Sequence, residues 1–319
     1  MKRRPRPILC VAAAGLLALG LLLAAPHVSR FGLERTRVDL HWPRALMAAV
    51  CGLGLASAGA VLQTVLRNPL ASPYILGISS GASVGALAAI HLGWGAVAAG
   101  ALSPVSLGAL AGSLASAALV YAVARARNLA AETLVLAGVA VSLFGGALVA
   151  LLHHLATLID LREMIRWSLG SLDAVGYDHV RATALFVGIG LVLIAFVLPS
   201  LEVASLDDPS SAALGVSPAR VRLVGFLATS LITAGVVAFA GPVGFVGLVI
   251  PHAVRPFTGP DPRVHFPCTA LVGAAFLVGC DLLARTLLYP TNLPINVITS
   301  AFGCPAFVWI LLRRSRRSA

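Results

Sequence analysis

Charge is scarce in this sequence. Of 319 residues only 11% are Asp, Glu, Lys or Arg, while 59% are hydrophobic. A water-soluble domain carries roughly a quarter of its residues charged to cover its surface. A chain with less than half that share has to be solvated by lipid. Lysine is scarcer still, since Lys2 is the only one. A phosphate-cradling GxxxxGK[ST] loop needs a lysine to reach the phosphates, and Lys2 sits in no such loop, so the chain is not a P-loop ATPase. Aromatic residues make up only 6% and do not interleave with basic ones, which excludes a nucleic-acid groove despite a net charge of +11. The five cysteines (Cys10, Cys51, Cys268, Cys280 and Cys304) show no CxxC spacing, so neither a zinc site nor a redox pair is expected. Each lies in or beside an apolar run and reads as an inert thiol. No catalytic constellation is evident, and no bound cofactor or metal is expected.

What is present is a series of long apolar runs. A spanning helix needs about 20 mostly apolar residues, and candidate spans fall near 8–25, 46–65, 74–93, 103–123, 133–153, 181–199, 222–240, 243–257, 268–288 and 293–312. The expectation is an all-α, multi-pass membrane protein of about ten helices forming a single domain over 1–319. The first run follows basic residues and ends in Ala24-Ala25-Pro26, as a cleaved signal peptide would, but its length favours a retained helix. Basic residues cluster at the two ends, as Lys2, Arg3, Arg4 and Arg6 and as Arg313, Arg314, Arg316 and Arg317. Ten spans with both termini cytoplasmic put fifteen basic residues inside and eight outside, the direction of the positive-inside rule.

Two connecting segments are more than turns. Residues 201–220 are polar, and Asp207-Asp208-Pro209-Ser210 has the makeup of a helix start, with acids at the positive end of the dipole. Ser217-Pro218 reads as a second start. Two short helices are expected there as a platform on the cytoplasmic surface. Residues 154–178 carry Asp160, Arg162, Glu163, Arg166 and Trp167 and read as an amphipathic interfacial piece with Trp167 at headgroup depth.

Polar residues within apolar runs cost free energy unless paired or facing water. Gln63 lies inside the second run. Arg67-Asn68-Pro69-Leu70-Ala71-Ser72-Pro73 follows, and its two prolines break the helix, leaving either a gate or a tight cytoplasmic loop. His153-His154 could ligate haem iron or be interfacial polar residues. Asp281 and Arg285 stand at i,i+4 and can pair on one helix face. Pro251-His252 reads as a kink. Glycine is plentiful, at 31 residues; the pair Gly81 and Gly85, and Gly241, Gly244 and Gly247, are the small-residue faces that let membrane helices approach.

These residues carry a family resemblance. Trp42-Pro43-Arg44-Ala45-Leu46, Ala58-Gly59-Ala60 with Gln63, Asn68-Pro69-Leu70-Ala71-Ser72-Pro73, Leu76-Gly77 and Gly81-Ala82 occur in order. Towards the C-terminus come Gly244-Phe245-Val246-Gly247-Leu248-Val249-Ile250-Pro251-His252 with Arg255, then Asp281 with Arg285, Leu293-Pro294 and Gly303-Cys304-Pro305-Ala306-Phe307. Weaker matches at Leu136-Ala137-Gly138-Val139 and Trp167-Ser168-Leu169-Gly170-Ser171 link the two groups. The chain resembles the permease subunits of type II ABC importers, which carry iron-siderophores, haem and vitamin B12.

The resemblance implies a ten-helix homodimer in the bacterial inner membrane with its pathway at the dimer interface. It also implies two separate ATPase subunits, which hold ATP and Mg, and a periplasmic binding protein. By the same resemblance, Arg44 and Arg285 dock the binding protein, and His41 stands where the family has another arginine. Asn68 and Leu70 form the cytoplasmic gate, with Thr157 a looser counterpart outside. Asp208, Ala212, Leu214, Gly215 and Val216 belong to the surface that receives the ATPases. Asp207 replaces a usual glycine, and Asn292 and Asn296 replace an acid and a glycine. Haem is the mildly preferred cargo, on His153 and His154, with siderophores and corrinoids as alternatives. The competing class is an ion-coupled secondary transporter, for which Asp281 is the only clear intramembrane carboxylate.

Overall fold

The computed structural model describes residues 7–27, 35–94, 102–173, 176–259, 261–288 and 291–315. Among them are twelve α-helices: α1 Pro7–Ala24, α2 Arg35–Val65, α3 Ile78–His91, α4 Pro104–Arg125, α5 Ala131–Leu155, α6 Leu158–Ser168, α7 Asp178–Ala204, α8 Asp208–Ala213, α9 Pro218–Ala240, α10 Val246–Thr258, α11 Pro262–Thr286 and α12 Ile295–Ser315. Every expected span contains one helix, and α6 and α8 are the two additional short ones. Seven helices are long and apolar enough to cross a membrane: α1, α2 from His41, α4, α5, α7, α9 and α11. The N-terminal and final C-terminal basic clusters lie largely outside the described residues.

Two shorter helices, α3 and α10, have local causes. The third expected span begins four residues late, because Tyr74–Gly77 is a turn that ends on Gly77 at φ 77°. At 14 residues, α3 is about 21 Å long and does not span the hydrocarbon by itself. Helix α10 starts only after a non-helical link from Gly241 to Phe245. Gly241 takes φ 68° and its N–H bonds back to the Val237 carbonyl, so α9 stops at a positive-φ backbone conformation that glycine adopts without strain.

α2 is the axis of the bundle. It packs against α1, α7, α9, α10 and α11, and 78% of its apolar window is buried, against 28% for each of α4, α5 and α7. Those three therefore turn most of their surface outward. Glycines set how closely the axis is approached. A Cβ on Gly59 would lie 1.8 Å from the Gly247 carbonyl oxygen of α10, and one on Gly85 would lie 1.9 Å from the Gly108 oxygen of α4. The small-residue faces read from the sequence are thus direct backbone contacts. α1 lies on α11, and Ala25 just beyond it is fully buried.

The two connecting segments differ from expectation in one respect. Residues 158–168 form α6, capped by Thr157, whose hydroxyl accepts from the Asp160 N–H at 3.2 Å. Met164 faces inward, while Leu158 and Ile159 face out, so the amphipathic reading holds. In 201–220 there is one short helix, not two. Asp207 caps α8 as expected, accepting from the Ser210 N–H at 2.9 Å. Ser217-Pro218, however, opens the long α9, because the apolar pattern from Val221 onward continues without a break.

Candidate functional site: two ionic clusters at opposite ends of α2

At the N-terminal part of α2, Arg44 is buried, and its Nε donates to Asp281 Oδ1 on α11 at 2.6 Å. Its other arm reaches Asp173, in the link after α6, as a short ion pair. One turn further along α11, Arg285 Nε stands 3.1 Å from Asp281 Oδ2, an ion pair without hydrogen-bond alignment. Arg285 Nη2 donates to the Ala25 carbonyl at 3.1 Å. Two cations and two carboxylates thus close on one another. Asp281 is 0% exposed, and the Asp173 carboxylate is the only half-open member, at 43%. The expected i,i+4 pair is present. Both guanidiniums are occupied internally, because a bare cation at that depth would be costly. His41, one turn before Arg44, is half-buried.

At the other end, α2 stops at Val65 and the chain turns through Arg67-Asn68. Asn68 Oδ1 accepts from the Leu70 N–H at 2.9 Å, and its carbonyl accepts from the Ala71 N–H at 3.0 Å. This Asx turn leaves Leu70 exposed, at 44%. Gln63 explains its own place inside α2. Its Nε2 donates to the carbonyls of Gly247 and Leu248 at 3.3 and 3.2 Å, tying α2 to the start of α10.

α8 lies beside this turn. Asp208, its first residue, accepts two bonds from Arg222 of α9, at 3.0 and 2.8 Å, and one from Arg67 Nη2 at 2.6 Å. The Arg222 bond, with Arg67 adding to it, holds the Asp208 carboxyl down to about 2. Asp207 is also lowered, first by its bonds with Ser210. The far side of α8 is open: Ala212, Leu214 and Gly215 are exposed, and Val216 is half-buried. Gly215 takes φ 81° with open space around it, so the segment reverses there towards α9.

His153 and His154 do not converge. Neighbouring residues on a helix point about 100° apart; His153 is half-buried with Nε2 lacking a partner, while His154 is exposed. Thr157 is exposed and serves as the α6 cap. Among the described residues no group of three or more His, Cys, Asp or Glu could hold a metal ion. All five cysteines are unpaired. Gly77-Ile78-Ser79-Ser80-Gly81 fits the GxSxG spacing of a hydrolase nucleophile, but Ser79 is buried and follows a turn, not a strand, so it is no nucleophile elbow. Asp173, Arg67 and Arg222 were not legible as partners, since each pairs across more than a dozen positions with no local spacing to mark it.

A bundle crossing the membrane many times, closed by an ionic cluster at one end of its axis, with a turn and a surface helix joined at the other, is a multi-pass membrane protein. The chain belongs to the FecCD transport family, whose model matches residues 32–313. It is 39% identical over 280 residues to the ABC transporter permease YvrB of Bacillus subtilis, covering 88% of this chain and 79% of that one. It is 38% identical over 302 residues to the vitamin B12 import system permease BtuC of Vibrio cholerae, covering 93% and 89%. A solved inward-facing metal-chelate type ABC transporter superposes with TM-score 0.86 at 29% identity, over 96% of this chain and 99% of that one. The chain is therefore a permease of the ABC importer type, a non-catalytic subunit of complexes that also contain ATPases and substrate-binding proteins. Family membership sets aside the ion-coupled secondary transporter.

Proposed function

We propose that this permease imports a corrinoid of the vitamin B12 type across a bacterial inner membrane. The observation that carries corrinoid over haem is the divergence of His153 and His154, which removes the paired axial ligand on which the haem reading rested. Relatives named for vitamin B12 import, similar along most of the chain, support the same choice. Both termini face the cytoplasm, as the fifteen-to-eight distribution of basic residues favours. Two copies assemble, the arrangement that the family resemblance implies. The open side of α8, through Ala212, Leu214, Gly215 and Val216, receives the ATPase. Asn68 and Leu70 close the cytoplasmic end.

At the periplasmic end, the binding protein docks over Arg44, Arg285 and His41. Because both guanidiniums are already engaged, an incoming carboxylate reaches Arg44 by displacing Asp173, the exposed member of the cluster. The test is uptake in proteoliposomes holding the permease, its ATPase and its binding protein. Labelled cyanocobalamin should accumulate with ATP, and replacing His153 and His154 together with alanine should leave that uptake unchanged. Accumulation of haem or a ferric siderophore, with none of cyanocobalamin, refutes the corrinoid assignment.

A further inference from the structure

The turn after α2 and the surface helix α8 share one ion. Asp208 uses both oxygens to hold Arg222, which is buried on the long α9. That two-point bond fixes the plane of the carboxylate. The same Oδ1 then accepts from Arg67 at 2.6 Å. Arg67 also donates through Nε and Nη2 to the Ala204 carbonyl at 3.2 and 3.1 Å. This is the last residue of α7, where a cation is favoured by the helix dipole. The backbone of Arg67 sits at φ 48°, a left-handed conformation disfavoured for a side-chain-bearing residue and one that persists only where surroundings impose it. The next residue is Asn68, whose side chain shapes the turn that exposes Leu70. Among the described residues, α8 has one other side-chain hydrogen bond to a neighbouring element, from the Ser211 hydroxyl to the Val203 carbonyl at 2.8 Å, and this leads to α7 and not to the turn.

We infer that Asp208 is a positioning residue that carries movement of the α8 platform to the 66–73 turn through Arg67, with Arg222 setting the orientation of its carboxylate. A shift of α8 by about an ångström takes a 2.6 Å charge-assisted bond out of range unless Arg67 follows. Arg67 follows by changing the backbone that sets Asn68 and Leu70. The inference rests on the importer reading, in which the ATPase pushes on α8.

The experiment uses the full permease–ATPase complex in nanodiscs, with Leu70→Cys as reporter and the exposed native thiol removed by Cys304→Ser. Labelling by a water-soluble maleimide is timed without nucleotide and with ATP plus vanadate. In the parent, nucleotide should change the rate by about threefold or more, the scale of coupling between contacting residues. Arg67→Gln should abolish that change while ATP hydrolysis continues, and Arg67→Lys should restore part of it. Asp208→Asn should show the same loss, and combining it with Arg67→Gln should add nothing. A nucleotide response in Arg67→Gln equal to the parent's overturns the relay and leaves the importer intact, as do losses that add in the double variant. A parent with no response, or no complex with the ATPase, overturns the importer reading and the relay with it.

Discussion

Asp281→Asn tests the buried cluster most directly. The carboxylate is fully buried and contacts two guanidiniums, at 2.6 Å from Arg44 and 3.1 Å from Arg285. Without its charge, Arg44 keeps only Asp173, whose side chain is 43% exposed, and Arg285 keeps only the Ala25 carbonyl. Two cations then lie buried with one half-solvated anion between them. Removing one partner of a buried pair costs about 3–5 kcal/mol, mostly as the penalty of the stranded charge. For a chain of this size each kcal/mol lowers the midpoint by roughly 2–4 °C, so the shift should be about 10 °C. The assay is the temperature at which half the detergent-solubilised protein leaves the monodisperse peak in size-exclusion chromatography. Asp178→Asn is the control: its pair with Arg181 is 3.5 Å long with side chains 74% and 78% exposed, worth about 0–1 kcal/mol. Replacing the three buried groups together, as Arg44→Met, Asp281→Leu and Arg285→Met, should recover at least half of the loss, since no charge is stranded. An Asp281→Asn midpoint indistinguishable from that of Asp178→Asn refutes the reasoning.

Three further outcomes follow from the same contacts. Asp173→Asn should strengthen association with the binding protein, most clearly at low salt, because it removes the internal competitor for Arg44; weaker association measured by surface plasmon resonance would mean that Asp173 itself belongs to the docking surface. Gly59→Ala should cost about 1–3 kcal/mol or abolish folded yield, as its Cβ would meet the Gly247 backbone at 1.8 Å, whereas Gly188→Ala, with nothing within 4 Å, should be neutral or gain up to about 1 kcal/mol. The thermal midpoint reads both. Asp208 has a folded value of about 2, below its unfolded value near 3.9. Its contribution is therefore fully present above about pH 4 and lost only as pH falls towards 2. The nucleotide response of the Leu70→Cys reporter should be flat from about pH 5.5 to 8, and a midpoint inside that range would assign the control to another group.

How much of this was legible beforehand divides along a physical line. Long helices such as α4, α5 and α7 announce themselves because a helix turned outward to lipid is apolar along most of its length, and a cap such as Asp207 because it acts on residues two or three positions away. The Asp281–Arg285 pair was legible for the same reason, being one turn apart on one helix. Contacts set by the tertiary path left no such mark. Asp208 meets Arg67 only because α2 ends beside the start of α8, and Arg44 meets Asp173 only because the link after α6 folds over α2. Ser217-Pro218 was misread as a separate short helix because a start signal says nothing of length. What decided it was the apolar run from Val221 to Ala240, which lets the helix continue into the bundle. The two ionic clusters share this non-local origin, and that is why they are the informative sites. Each brings together charges from separate segments of the chain at one end of α2, so a displacement of the partner element at either end alters a contact on the axis itself. The family resemblance implies docking by Arg44 and Arg285 and carries no information on Asp173. The folded chain makes Arg44 a competed site, and its availability is set by Asp173.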